Sequence, residues 1–308
     1  MKRKIINILG NIILIVCIGY LINAIYKQQI EWGKYIGDWK VIAGIVVSLI
    51  ILVGSIFFNA HIYGEILNKI CKKNIDVNEL RDVYITSNIG KYLPGNIMHF
   101  VGRNMIGIKY KIEQKKIVIA TFSELLLIVT VSFLYVLVFG NKYIYTTLFF
   151  IIDKYRNMLG LFQIGIIVIS IAAIVLITLY RKRIVNIIKK IDYGFLAKIF
   201  IKEIGIFGLA SITYAIVLLS IDNSNINYNQ IVMLFIVYII AWLVGFLLPG
   251  VPGGIGVREA ILTLLLSSLI QRDIILISVV IHRCVTIIAD FIAFLLLKVT
   301  SKIRRNNR

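Results

Sequence analysis

The sequence predicts an all-α polytopic membrane protein, with about six transmembrane helices plus two re-entrant helical hairpins arranged as an inverted-topology repeat. Three observations lead there. Hydrophobic residues make up 59% of the 308 and charged residues only 16%, where a soluble domain of this size carries about a quarter charged. The apolar residues run in blocks that reach or approach the roughly 20 residues a helix needs to cross a bilayer. Finally, two Pro-Gly motifs repeat each other. Leu93-Pro94-Gly95 is followed by Arg103, and Leu248-Pro249-Gly250 by Arg258; each pair, like Gly90 and Gly245, is separated by 155 residues. The pattern G-x-x-L-P-G-x7-R therefore occurs twice, and the remaining proline, Pro252, lies just beyond its second copy.

The spans are expected at 5–25, 41–63, 117–139, 158–180, 199–220 and 274–297. The first follows Met1-Lys2-Arg3-Lys4; it is long for a signal-peptide core and ends without a small-residue cleavage site, so it reads as a retained span. Basic loops orient the rest. Arg181, Lys182, Arg183, Lys189, Lys190 and Lys198 mark one loop as cytoplasmic, as do Lys109, Lys111, Lys115 and Lys116 before the third span and Lys298, Lys302, Arg304, Arg305 and Arg308 in the tail. The uncharged-to-acidic stretch Asp222 to Asn227 is external. Six spans with both termini cytoplasmic satisfy all of these constraints. The net charge of +19 thus belongs to topology and anionic headgroups, with no nucleic-acid partner implied.

Segments 80–93 and 96–108 flank the first Pro-Gly motif, and 230–248 and 258–271 the second. Full crossings there would upset the loop charge bias, so each pair is expected to be a re-entrant hairpin, the first (80–108) entering from the cytoplasm and the second (230–271) from outside. Shifting the first half by 155 places 5–25 on 160–180, 41–63 on 196–218 and 117–139 on 272–294, each on a partner of opposite direction. The expected organisation is a membrane half at 1–140, a connector at 141–157, a second half at 158–298 and a basic tail at 299–308. The apolar piece 143–152 is too short to span and is placed on the outer surface.

Irregular backbone at membrane depth is tolerated where it is buried in protein or lines a watery cavity. Pro94, Gly95, Pro249, Gly250, Gly253, Gly254 and Gly256 are accordingly expected to line such a cavity, where bare backbone and helix-start N–H groups attract anions. Arg103 and Arg258 add guanidinium groups that match phosphate with two parallel bonds. His99 and Glu259, inside the motifs, complete the candidate substrate-binding set. The competing reading is that Pro-Gly only turns each hairpin and each arginine snorkels to the interface; the paired occurrence favours a site.

These residues carry a resemblance. Val251-Pro252-Gly253-Gly254-Ile255-Gly256-Val257-Arg258-Glu259-Ala260 resembles the P-G-G-[LI]-G-V-R-E signature of the membrane domain of lysylphosphatidylglycerol synthases. Gly90-Lys91-Tyr92-Leu93-Pro94-Gly95 with Phe100-Val101-Gly102-Arg103 resembles that family's other block, with Met98 where an aromatic is expected. The resemblance implies a flippase-like domain that moves aminoacylated or otherwise modified phospholipids between leaflets. Full-length members add a soluble aminoacyltransferase domain after the membrane part, and the family also includes stand-alone relatives of unassigned activity; with eleven residues after 297, this chain is expected to be a stand-alone member. Lysyltransferase activity would follow from family association alone, with catalysis supplied by another chain.

Ionisable residues inside spans are costly and point to function or to buried pairs. Glu124 lies about 10 Å into the third span, and the last span carries His282, Arg283 and Asp290. The resemblance also places a Glu and an Arg in these two spans, and Glu124 with Arg283 is the expected buried charge pair. Lys202 and Glu203 read as snorkelling near a span end, and His61 as interfacial. The roles of His282 and Asp290 are left open.

Groups for an enzyme are missing. No two of the fifteen acidic residues are adjacent or one residue apart, so a DxD or DD metal site is absent. No G-x-S-x-G elbow or P-loop occurs either. Cys17, Cys71 and Cys284 have no metal-ligand or CxxC spacing. The sequence therefore predicts no catalytic residue, metal or cofactor. It predicts a translocase of the bacterial cell (inner) membrane for a phospholipid, glycolipid or other lipid-linked substrate with an anionic headgroup. A separate synthase or a second copy of the chain are the candidate protein partners.

Overall fold

Asp38 and Asp76 each start a helix by accepting the N–H two residues on, Lys40 and Asn78, both at 2.9 Å. These are N-caps that satisfy donors a helix start leaves over. The computed structural model describes residues 37–92, 98–140, 192–222, 227–247, 256–267 and 269–306. Among them are eight α-helices and no strand: α1 (Trp39–Cys71), α2 (Val77–Asn88), α3 (Met98–Tyr110), α4 (Gln114–Phe139), α5 (Tyr193–Ile221), α6 (Tyr228–Leu247), α7 (Val257–Leu266) and α8 (Arg272–Asn306). A 3-10 turn, Ile89–Tyr92, follows α2.

Five helices are long and apolar enough to cross a bilayer: α1, α4, α5, α6 and α8. The chain is a multi-pass membrane protein. Large apolar side chains such as Ile50, Phe58, Phe122, Leu137 and Leu295 face outward, as lipid contact requires. The expected spans 41–63, 117–139, 199–220 and 274–297 each fall within one of these helices. Spans 5–25 and 158–180, connector 141–157 with segment 143–152, and both Pro-Gly tips lie outside the described residues. Segment 230–248, expected as a re-entrant arm, forms α6, whose 20 residues are long and apolar enough for a full crossing. Loop charges constrain which side a helix end lies on; they do not constrain how far the helix continues. The first arm, α2, has only 12 residues and carries Glu79, Arg81 and Asp82, so the two hairpins are unequal.

The chain divides into two compact units: Met1–Phe139 with Lys202–Arg308, and Gly140–Ile201. In the second unit only Gly140 and 192–201, the latter holding the first turns of α5, lie within the described residues. In the first unit α1 packs on α2, α4 and α8, and α2 on α3. Likewise α6 packs on α7, and α7 on α8. Two contacts cross between the sequence halves in a matched way: α4 packs against α6, and α8 against α2. Helix order also recurs. Adding 155 to the starts of α1, α2, α3 and α4 gives 194, 232, 253 and 269, beside the observed 193, 228, 257 and 272.

Local chemistry explains the tight turns. Asn68 closes the α1–α2 connection by donating to Ile75 O at 2.7 Å and accepting from Ile75 N at 3.2 Å. Lys73 Nζ donates to Tyr110 O at 3.0 Å, and Glu79 accepts from Lys109 at 3.1 Å and from the Tyr110 hydroxyl. Glu79 of α2 thus holds α3 alongside. Close approach is set by glycine. A Cβ on Gly102 of α3 would lie 2.6 Å from Ser87 Cβ of α2, and one on Gly44 would lie 2.7 Å from the Ser220 hydroxyl of α5. Beside that second contact, Val41, Val217, Ile221 and Ile277 form an apolar core.

Gly102→Ala is therefore expected to destabilise the protein by about 1–3 kcal/mol, because a Cβ cannot swing aside from another Cβ. Gly54, which has open space around it, is the control: Gly54→Ala is expected to be neutral or to stabilise by up to about 1 kcal/mol. Thermal unfolding of the two variants in detergent checks the contrast.

Candidate functional site

The first motif's arginine is built into a polar knot. Arg103 and Glu124 are each almost fully buried, at 4% and 3% exposure, and Arg103 Nη1 donates to Glu124 Oε2 at 2.5 Å. The other carboxylate oxygen accepts from the Tyr84 hydroxyl at 2.6 Å. The guanidinium carbon lies 4.3 Å from the Tyr84 ring centre and 4.6 Å from that of Tyr63, within cation–π range of both. The Tyr63 and Thr121 hydroxyls are 3.4 Å apart. Residues from α1, α2, α3 and α4 meet at this point.

A second ion pair ties the end of the first motif's leading arm to α8. Lys91 Nζ and Asp290 Oδ2 are 2.6 Å apart, and Asn88 Nδ2 donates to Asp290 Oδ1 at 3.1 Å. Asp290 is buried and Lys91 only partly so.

The second motif's arginine sits differently. Arg258 projects from α7 with its stem against α6, where a Cβ on Gly245 would meet Arg258 Cγ at 2.7 Å. Its guanidinium carbon lies 5.7 Å from the Trp242 ring centre. Gly245, the motif residue that pairs with Gly90 at the 155 offset, is thus the space through which Arg258 reaches inward. At the start of α7, Gly256 adopts φ 85°, a backbone shape suited to glycine, and its N–H donates to the Glu259 carboxylate. Behind these, His282 Nε2 and Thr213 Oγ1 are 3.0 Å apart. Thr213 already donates to Ala210 O at 2.6 Å, so its oxygen is the acceptor and His282 carries hydrogen on Nε2. The imidazole stands edge-on to the stacked rings of Tyr214 and Tyr238.

Between these groups lies a cavity of about 450 Å³ to which all eight described helices or the 3-10 turn adjoining them contribute. Among the described residues four cations line it, Lys91, Arg103, Arg258 and Arg283, against three carboxylates, Glu124, Glu203 and Asp290. Two cation–carboxylate pairs are made within it. Arg283 Nε and Nη2 and Glu203 Oε1 are buried atoms with no hydrogen-bond partner among the described residues. Phe207, Trp242 and Phe246 form an aromatic wall, with Trp242 and Phe246 nearly parallel and 5.2 Å apart. Such a space can hold a headgroup-sized anion, with cations to neutralise it and flat rings to cover an apolar face.

The sequence-derived residues fare unevenly. Arg103, Arg258, Glu124 and Arg283 come together around the cavity, as does Asp290. The expected pair is corrected: Glu124 binds Arg103 and Tyr84, and both of its oxygens are engaged there. An arginine inside the hairpin reaches α4 before one on α8 does, and no sequence signal ranked the two. Gly256 and Glu259 satisfy each other at a helix start, so the geometry gives them a capping role where a ligand contact was expected. Pro94, Gly95, Pro249, Gly250, Gly253 and Gly254 lie outside the described residues, as does the His99 side chain.

Glu203 is a second correction. Read as snorkelling, it is 1% exposed. Helix α5 begins at Tyr193, six residues before the expected span, which sets Glu203 about 15 Å from the helix start. Lys202, read the same way, pairs with Glu65 at 2.7 Å, and His61 is partly exposed near the same carboxylate. Tyr63, Tyr84, Lys91 and Trp242 were missed; only their proximity in space marks them. No protein-family model matches the chain, and comparison with curated proteins finds no match.

Breaking one side of a buried ion pair costs about 3–5 kcal/mol, while replacing both members costs far less. Glu124→Gln and Arg103→Met are each expected to destabilise by that order, and the double variant to recover most of the loss. Glu124→Gln with Arg283→Met is expected to be additive. Two double-mutant cycles of thermal stability in detergent separate the pairings.

Proposed function

We propose that the protein is a lipid translocase that binds an anionic phospholipid or glycolipid headgroup in its central cavity while the acyl chains stay in the bilayer. The observation that carries this reading is the cavity itself: about 450 Å³, inside a multi-pass membrane protein, with four cationic side chains against three carboxylates. Burying that imbalance is unfavourable unless an anion completes it. The aromatic wall suits a glycerol, sugar or other polyol face beside the phosphate.

The architecture in this proposal is an inverted-topology repeat whose two Pro-Gly hairpins approach the cavity from opposite sides. The 155-residue recurrence of helix starts and the matched α4–α6 and α8–α2 contacts support it. So does the resemblance of both motifs to the membrane domain of lysylphosphatidylglycerol synthases, which makes this chain a member by proposal. Alternating access would rock one half against the other around the cavity, in the bacterial cell membrane with both termini cytoplasmic.

Arg258→Lys and Arg283→Lys keep charge but lose the planar fork. In proteoliposomes with fluorescent phosphatidylglycerol, each is expected to slow inter-leaflet movement about tenfold, the worth of one charge-assisted hydrogen bond, with folding unchanged. Unchanged movement in the double variant overturns the reading, and a chemically new lipid formed by the pure protein would replace it with an enzyme. Single cysteines at positions 95 and 254 test the architecture: impermeant thiol reagents are expected to reach them from opposite sides.

A further inference from the structure

Glu203 is the cavity group that this reading leaves without a task. It is 1% exposed, about 15 Å along α5, and its Oε1 has no hydrogen-bond partner among the described residues. The nearby ammonium of Lys202 is bound to Glu65 instead. In the same cavity Glu124 and Asp290 are each paired with a cation. Glu203 is therefore the carboxyl there without an ion pair, in a place where a lone carboxylate is costly to keep ionised.

We propose that Glu203 is a proton-binding site that couples translocation to proton movement, its proton and the anionic headgroup entering the cavity together. This rests on the translocase reading. Among the described residues, the other charges around the cavity are Arg103 from α3, Glu124 from α4, Arg258 from α7, Arg283 and Asp290 from α8, and Lys91 from the 3-10 turn. Helices α2 and α6 add the phenols of Tyr84 and Tyr238, and α1 adds no titratable group. With Glu203 ionised the inventory stands at one net positive charge; with Glu203 protonated it stands at two. An arriving phosphodiester meets the higher positive charge when Glu203 carries its proton, and by linkage the bound phosphodiester holds that proton more tightly. The step is a proton transfer from water to the carboxylate and, after the cavity reopens, back to water. No bond of the lipid changes. The proton gradient across a membrane then favours one direction of headgroup movement.

The test uses the full chain in detergent, weakly buffered, titrated with short-chain phosphatidylglycerol while a pH dye reads proton uptake. Its phosphodiester does not titrate between about pH 5 and 9, so uptake reports on the protein. Wild type is expected to take up close to one proton per lipid bound at the high-pH end, with affinity falling by up to about tenfold per pH unit there. Glu203→Gln, a mimic of the protonated form, is expected to bind with a flat pH profile and no uptake. Binding without uptake in the wild type, or uptake of the same size in Glu203→Gln, overturns the coupling and leaves the translocase reading standing. Absence of binding in the wild type overturns both. If Glu203→Gln does not fold, Glu203→Asp replaces it: the uptake is expected to persist with a shifted midpoint, and an unchanged midpoint overturns the assignment.

Discussion

The ion pair between Arg103 and Glu124, with the Tyr84 hydroxyl on the second carboxylate oxygen, is the constraint on which the first half of the protein depends. Neither charge is tolerable at membrane depth alone. Together, beside the adjoining rings of Tyr63 and Tyr84, they give α1, α2, α3 and α4 one geometry in which each charge faces its opposite. The short helices α2 and α3 bury too little apolar surface to hold this position unaided, since α2 is close to neutral in hydropathy and only 12 residues long. Their place is set by the knot and by the Gly102–Ser87 contact.

The second half solves the same problem by different means. The residue 155 positions after Glu124 is Val279, and the one after Tyr84 is Ile239, so the repeat carries over the arginine but not its partners. Arg258 instead lies over Trp242 and reaches inward across Gly245. The two motif arginines thus have unequal surroundings: Arg103 lies against Glu124, Tyr63 and Tyr84, and Arg258 against Trp242 and Gly245, and both border the cavity with Arg283.

The cavity's polar groups come from elements far apart in sequence. Asn88 and Lys91 meet Asp290 across about 200 residues, and Glu203 joins Glu124 on the same wall. Two ion pairs, Arg103 with Glu124 and Lys91 with Asp290, join separate helices around the cavity. Its aromatic side, formed by α5 and α6, supplies surface without charge.

The sequence by itself determined the class, the helices and the arginines. Long apolar blocks leave the backbone no partner but itself in lipid, so 41–63, 117–139, 199–220 and 274–297 were legible as helices, and the repeated Gly-Pro-Arg spacing located both motif arginines. Only the tertiary structure decided the partners and the extents. Glu124 bonding Arg103 in place of Arg283, Asp290 bonding Lys91, Glu259 capping Gly256 and the burial of Glu203 all turn on distances of a few ångströms between helices. A hydropathy pattern fixes which face of a helix is apolar but not its rotation against a neighbour, nor the residue at which it begins. Electrostatic pairing depends on both. Charge and spacing therefore named the cast of the site in one dimension, and packing in three dimensions assigned which group neutralises which.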